Sequence, residues 1–303
     1  SGYGDHARDL VRSFLKLDKF FTKILDVPWG ETPRDALDDK LDKNIIDCIL
    51  PEPKMDTQPD VYVDIRIPNE FQRYGKFNIG ITAGIETNTV SNNWIESCNK
   101  MDLVIVPSEH SKSGFVQALY ERAEEDLNPE LFDEDKYIRD EISEVGYRRL
   151  IAIASLDGLV EASQLSRMLG GAGSEVQLML TKILWEEYGS GKFERKHSYH
   201  FSAMMKEMGL DPKPEAYFEM VPWEVLANIN HSFSLSEQKR KFLRYIGGLL
   251  YIEISVPAAF KNNKLAAERL GLNNKAASYW DIHIKEDIRH GQWMLNDVAL
   301  PLI

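Results

Sequence analysis

Apolar residues recur along this chain with two different periods, and the change from one to the other divides it. In the first third the apolar runs are short and bounded by turn residues, the pattern of strands alternating with helices. Leu10, Val11, Phe14 and Leu15 line one side of an amphipathic helix that follows a glycine turn. Strands are expected over 61–67, 77–82 and 103–106, with a helix over 92–99 between the last two. The run Leu103–Ile105 within "DLVIVPS" is continuously apolar, as in a buried parallel strand. From about residue 118 the spacing becomes helical. Helices are predicted over 148–169, 174–188, 201–208, 223–233, 236–254, 263–270 and 276–295, and Pro257 is expected to end or kink the fifth. "GGAGS", "GLDPKPE" and "GLNN" mark loops between them. The expected organisation is an α/β segment over 1–117 and an all-α helical bundle over 118–303. The boundary falls near 114–118, just before the acidic stretch 121–140.

Composition narrows the class. A chain of 303 residues with 43% hydrophobic and 28% charged content has the make-up of a globular protein. The net charge of −12, with no basic block at either end, argues against nucleic acid or an anionic membrane as partner. No apolar run approaching a membrane span and no signal-peptide pattern are apparent. Cys48 and Cys98 cannot form a disulfide framework or a cysteine zinc site, which suits a reducing, cytoplasmic setting.

Five of the seven histidines fall in the helical part, and they change the picture. His283, Asp287 and His290 are spaced i, i+4 and i+7, so they share one helix face over two turns. Glu253 lies in "IGGLLYIEISVPAAF" with no basic neighbour, and a buried unpaired carboxylate costs several kcal/mol unless a cation or proton relieves it. Glu161 occupies an apolar helix, Glu187 ends another, and His197 follows Glu187 by ten residues. Four carboxylates neutralise two divalent cations while three imidazoles complete the shells, and oxygen–nitrogen donors without thiolate favour iron or manganese. Bundle cores hold dinuclear sites of this kind. Glu194–His197 and Asp287–His290 also have ferritin-like spacing. In that arrangement Glu194 replaces Glu187 and His283 has no role. His200 and His231 lack acidic companions at helical spacing, and Tyr251, Tyr279, Trp280 and Trp293 read as core.

Two resemblances attach to these motifs. "SGYGDHARDLV" with "GIETNTVSNNWIESCNKMDLVIVPSEHSKSGF" resembles part of the N-terminal domain of GT-B fold glycosyltransferases, through Gly2, Gly4, Glu86, Thr87, Trp94, Asp102, Pro107, Ser108 and Phe115. No strand precedes the Gly-rich loop, and the nucleotide-sugar domain of such enzymes is absent from the remaining residues, so this part is expected to be a structural α/β module. From about Ala118 onward the chain resembles the heme-oxygenase-like diiron oxidases and oxygenases, the iron-containing redox enzymes. Their pattern is filled by Glu161, by Glu187 with Gly189 and Gly191 before His197, by Glu253, and by His283, Asp287 and His290. The resemblance implies two Fe(II) ions per chain (manganese as the substitute), O2 as co-substrate and a small-molecule substrate oxidised at an amino-acid nitrogen or by carbon–carbon cleavage. It also admits an external electron donor and a homodimer, and leads one to expect a further helix after Ile303. A thiaminase-like relative needs a cysteine nucleophile, which the helical part lacks. The different-class alternative is a glycosyltransferase-related sugar-binding protein with the helical half as scaffold.

Overall fold

A computed structural model describes residues 2–27, 35–84, 88–170 and 174–303. The chain forms two compact units, Ser1–Tyr120 and Glu121–Ile303. The expected boundary at 117/118 falls inside a continuous helix, Glu109–Leu127, rather than in a linker.

The first unit carries α1 (Gly2–Leu17), α2 (Lys43–Ile46), β1 (Val61–Ile65), β2 (Phe77–Ile81), α3 (Asn92–Cys98), β3 (Leu103–Ile105) and the start of α4 (Glu109–Leu127). The strands form one parallel sheet in the order β1-β2-β3, with Val61 opposite Phe77 and Ile79 opposite Leu103. Phe71, 1% exposed, packs on Gly80, where an added Cβ would lie 2.6 Å from its ring. Buried Asp64 is satisfied by Arg66 at 2.6 and 2.7 Å and by the Gln72 backbone N–H. Asp102 accepts from the backbone and the side-chain amide of Asn78, which ties the start of β3 to β2. β3 is not the buried strand its apolar run suggested. It lies at the sheet edge, so Leu103 and Ile105 remain 46% and 44% exposed. Of the residues behind the glycosyltransferase resemblance, Glu86 and Thr87 lie outside the described residues.

The second unit is helical: α5 (Asp133–Asp140), α6 (Glu144–Gly158), α7 (Ser163–Met168), α8 (Ser174–Glu187), α9 (His197–Glu207), α10 (Trp223–Ser236), α11 (Phe242–Arg269), α12 (Asn274–Trp293), a π-helical turn Met294–Ala299 and α13 (Leu300–Leu302). Local chemistry sets several starts: Ser143 caps α6 by accepting from Gly146 N–H, and Asn273 caps α12 by accepting from Lys275 and Ala276. Ile151, Phe201, Met204, Met205, Ala266, Ala267 and Trp280 meet in the core, where the alanines let α11 and α12 approach closely. Trp280 Nε1 donates to the Tyr147 hydroxyl at 2.6 Å, and that hydroxyl donates to the Asn263 carbonyl, so the polar ends of these core aromatics are satisfied.

Three expectations need correction. The helix predicted over 148–169 is broken: α6 stops at Gly158, Ala162 is left-handed at φ 62, and Glu161 sits in the turn before α7. Gly158 stands at the break, and the Phe201 ring fills the space beside it, 2.5 Å from where a Cβ would be. The helices predicted over 236–254 and 263–270 are one helix, α11, which runs through Pro257. The proline removes the hydrogen bond that the Glu253 carbonyl would accept. Gly291 of α12 packs against that carbonyl, at a distance of 3.1 Å from an ideal Cβ. Finally, Lys239–Arg269 is long and apolar enough for a membrane span by length and composition, contrary to the expectation of no such run. Tyr245, Leu250, Glu253, Pro257 and Asn262 of this helix are nonetheless buried within the protein.

Candidate metal centre

Five backbone segments deliver the seven predicted residues to one place. Glu187 is the last residue of α8 and His197 the first of α9. Between them Gly189, Ser190 and Gly191 all take positive φ (74°, 50° and 79°), which folds the chain back on itself. Gly189 is required there: a Cβ would lie 2.6 Å from Lys196 N, so the tight return needs glycine's missing side chain as well as its φ. The return brings His197 Nδ1 to 2.8 Å from Glu187 Oε2. Glu253 comes from the middle of α11, and His283, Asp287 and His290 from one face of α12.

The ligating atoms fall into two groups. Glu161, Glu187, His197 and His283 offer atoms that lie within 4.8 Å of one another. Here His283 Nε2 is 2.7 Å from Glu161 Oε1, and the His197 and His283 rings are 4.5 Å apart. The second group is Glu187, Asp287 and His290. Glu253 joins it: His290 Nδ1 faces Glu187 Oε1 at 3.3 Å, Glu253 Oε2 at 3.5 Å and Asp287 Oδ1 at 3.9 Å. Glu187 therefore turns one oxygen to each group. Glu194, the ferritin-like alternative to Glu187, is exposed in a short turn and belongs to neither.

Charge in this core is unusual. Glu187, His197, Glu253, His283, Asp287 and His290 are each less than 9% exposed, and only Glu161 is partly open. Burial pushes Glu253 above the usual carboxylate range, aided by Glu187. Burial and the Glu253 charge do the same to Asp287. Burial alone would raise Glu187 as well, but His197 and His290 outweigh it and hold this carboxyl below the usual range. The imidazoles move the other way. Burial would lower both, but Glu161 lifts His283 to about 10, and Glu187 and Glu253 lift His290 to about 11. Protons thus hold together a set of acids that would otherwise repel one another.

The donor set fits a metal. Glu161 Oε2, His197 Nδ1, Asp287 Oδ1 and His290 Nδ1 are buried without a hydrogen-bond partner, although His197 and His290 face carboxylates within ion-pair distance. Lone pairs converging without hydrogen-bond geometry are what a shared cation satisfies, and oxygen with imidazole nitrogen suits iron or manganese. Neighbours fix two of the groups. His283 Nδ1 donates to the Tyr279 carbonyl at 2.8 Å, which leaves Nε2 for the centre, and the Tyr279 hydroxyl donates to Glu161 Oε1 at 2.9 Å.

Of the aromatics read as core, Tyr279 and Trp280 are buried but Tyr251 is 55% exposed, because it lies on the outer face of α11. Sequence reasoning missed two acids. Glu186 and Glu286 form a third group with His290, and Glu186 Oε2 lies 3.0 Å from His290 Nε2. Glu186 is adjacent to Glu187 in a run of helix-surface acids, and the hint was only that one helix end carries two glutamates.

The family model described as iron-containing redox enzyme matches residues 148–303, a stretch containing all seven residues. The chain is also similar to the nitrosourea synthase of Streptomyces achromogenes subsp. streptozoticus, with 29% identity over 148 residues. That similarity covers 48% of this chain and 31% of the relative, so the chain spans about a third of the relative's length.

Proposed function

The chain belongs to the iron-containing redox enzyme family, and we propose that it is a two-iron oxygenase that uses O2 to oxidise the nitrogen of a small amino-acid-like substrate. The observation that carries this reading is the division of the site into two ligand groups joined by the two oxygens of Glu187. Glu161, Glu187, His197 and His283 would hold one ion, and Glu187, Glu253, Asp287 and His290 the other. Bound iron would supply the electrons and open coordination positions that O2 activation requires. Manganese suits the same donors as a substitute.

The chain's own residues would do the rest. Glu187 would offer one oxygen to each ion. Tyr279 pins one oxygen of Glu161 by hydrogen bond and leaves the other unpartnered. Glu161 is the most open of the seven, with its side chain 21% exposed, so substrate would approach from its side while the second group stays shielded from water. Insertion of one oxygen atom into an N–H bond converts the other atom of O2 to water and takes two electrons and two protons from outside. An external reductant is therefore a required partner. Nitrogen is favoured over carbon–carbon cleavage because the related synthase is named for a nitrosourea, whose nitroso nitrogen is oxidised.

The test is anaerobic Fe(II) loading, metal analysis, and stopped-flow absorbance on mixing with O2, followed by mass analysis of amine substrates. Two irons per chain, a transient visible band and an oxygenated amine are expected. No retained iron and no band would refute the reading. Iron and a band with cleaved carbon products would redirect it to the other reaction class.

A further inference from the structure

His290 is fully buried, and both of its ring nitrogens are committed. Nδ1 faces Glu187, Glu253 and Asp287, while Nε2 lies 3.0 Å from Glu186 Oε2. Successive residues on a helix point about 100° apart, so Glu186 and Glu187 at the end of α8 grip the same imidazole from its two edges. A carboxylate oxygen accepts, so Nε2 donates and the Nδ1 lone pair is left for the centre. Building on the two-ion reading above, we propose that Glu186 is the positioning residue for His290, holding the tautomer and ring angle with which it meets the second ion.

The surroundings support this role. Arg289 Nη2 reaches Glu186 at 2.5 Å and also pairs with Glu286, so the outer carboxylate is itself anchored. Trp293 lies beside the imidazole, with ring centroids 5.7 Å apart and planes at 30°, and Lys182 and Arg289 sit over its indole ring. Glu186, Glu286 and His290 could instead be taken for a third metal site, since their atoms cluster. The Arg289 guanidinium already bridges the two acids, and its positive charge stands where such a cation would bind. A carboxylate that orients a metal-bound histidine through its far nitrogen typically governs metal affinity by about 10–100-fold. Glu161 and His197 make no hydrogen bond to this clamp among the described residues, so the effect should fall on one ion alone.

The experiment is anaerobic titration of the full chain with Co(II), following its visible bands, in wild type, Glu186→Leu and Glu186→Gln. Wild type should take up two ions. Glu186→Leu should bind one of them about 10–100-fold more weakly, with altered bands for that ion, and bind the other as before. Glu186→Gln keeps an amide oxygen to accept from Nε2 and should recover most of the loss. Unchanged affinities and bands in Glu186→Leu would overturn the positioning role and leave the two-ion reading intact. Equal losses in both variants, or a third ion in wild type that either variant abolishes, would also overturn it. A wild type that takes up no metal would bring down both.

Discussion

Replacing Glu253 by glutamine separates what this site costs the fold from what it gains. Glu253 is 6% exposed, and its nearest cationic partner is one imidazole at 3.5 Å that also faces Glu187 and Asp287. That ring also lies 3.0 Å from Glu186, so it is shared among four acids, and Glu253→Gln removes one buried acid at almost unchanged volume. Neutralising a poorly compensated buried ion is worth about 1–4 kcal/mol. For a unit of this size, about 2–4 °C per kcal/mol makes a rise of roughly 2–16 °C in the Tm of the metal-free protein. Metal acts in the opposite direction. At about a hundred times its Kd an ion adds about 2.7 kcal/mol, and a hundredfold weaker site would keep only about 0.4 kcal/mol of that. Thermal unfolding with and without anaerobic Fe(II) should therefore show the variant higher without metal and gaining about 2.3 kcal/mol less than wild type on loading. A variant that is less stable without metal and shifts as far as wild type on loading would refute the reasoning, because Glu253 would then be a structural acid and no ligand.

Three further expectations follow from particular residues. Gly189→Ala places a Cβ 2.6 Å from Lys196 N at φ +74, so it should cost at least about 1–3 kcal/mol and reduce metal uptake, checked by urea unfolding and metal analysis. Gly158→Ala drives a methyl into the Phe201 ring and should destabilise by about 1–3 kcal/mol, read from the urea midpoint. In metal-free protein, Glu253 keeps its proton above the ordinary carboxylate range while the unfolded chain releases its own. Stability contributed by this group should thus fall as pH rises through the ordinary range and level off above the raised value. Urea midpoints across this window should decline less in Glu253→Gln than in wild type; equal slopes would contradict the assignment.

Periodicity alone was enough to divide the chain into a parallel α/β segment and a helical bundle, because strand and helix patterns depend on near neighbours. The α12 face bearing His283, Asp287 and His290 was readable for the same reason: i, i+4 and i+7 positions coincide in any helix. The oddity of Glu253 was legible too, since an acid amid apolar residues is anomalous wherever the helix packs. Tertiary structure decided what local pattern could not express. The α6 helix ends at Gly158, where Phe201, forty-three positions away, occupies the space beside it, and Glu161 lies in the turn that follows. α11 continues through Pro257, with the Glu253 carbonyl packed against Gly291 of α12. β3 is half-exposed at the edge of the sheet, paired with β2 alone among the described residues. Which of two adjacent glutamates faces Nδ1 of His290 and which faces Nε2 depends on how helices a hundred residues apart in the chain pack together, and no run of neighbouring residues records it.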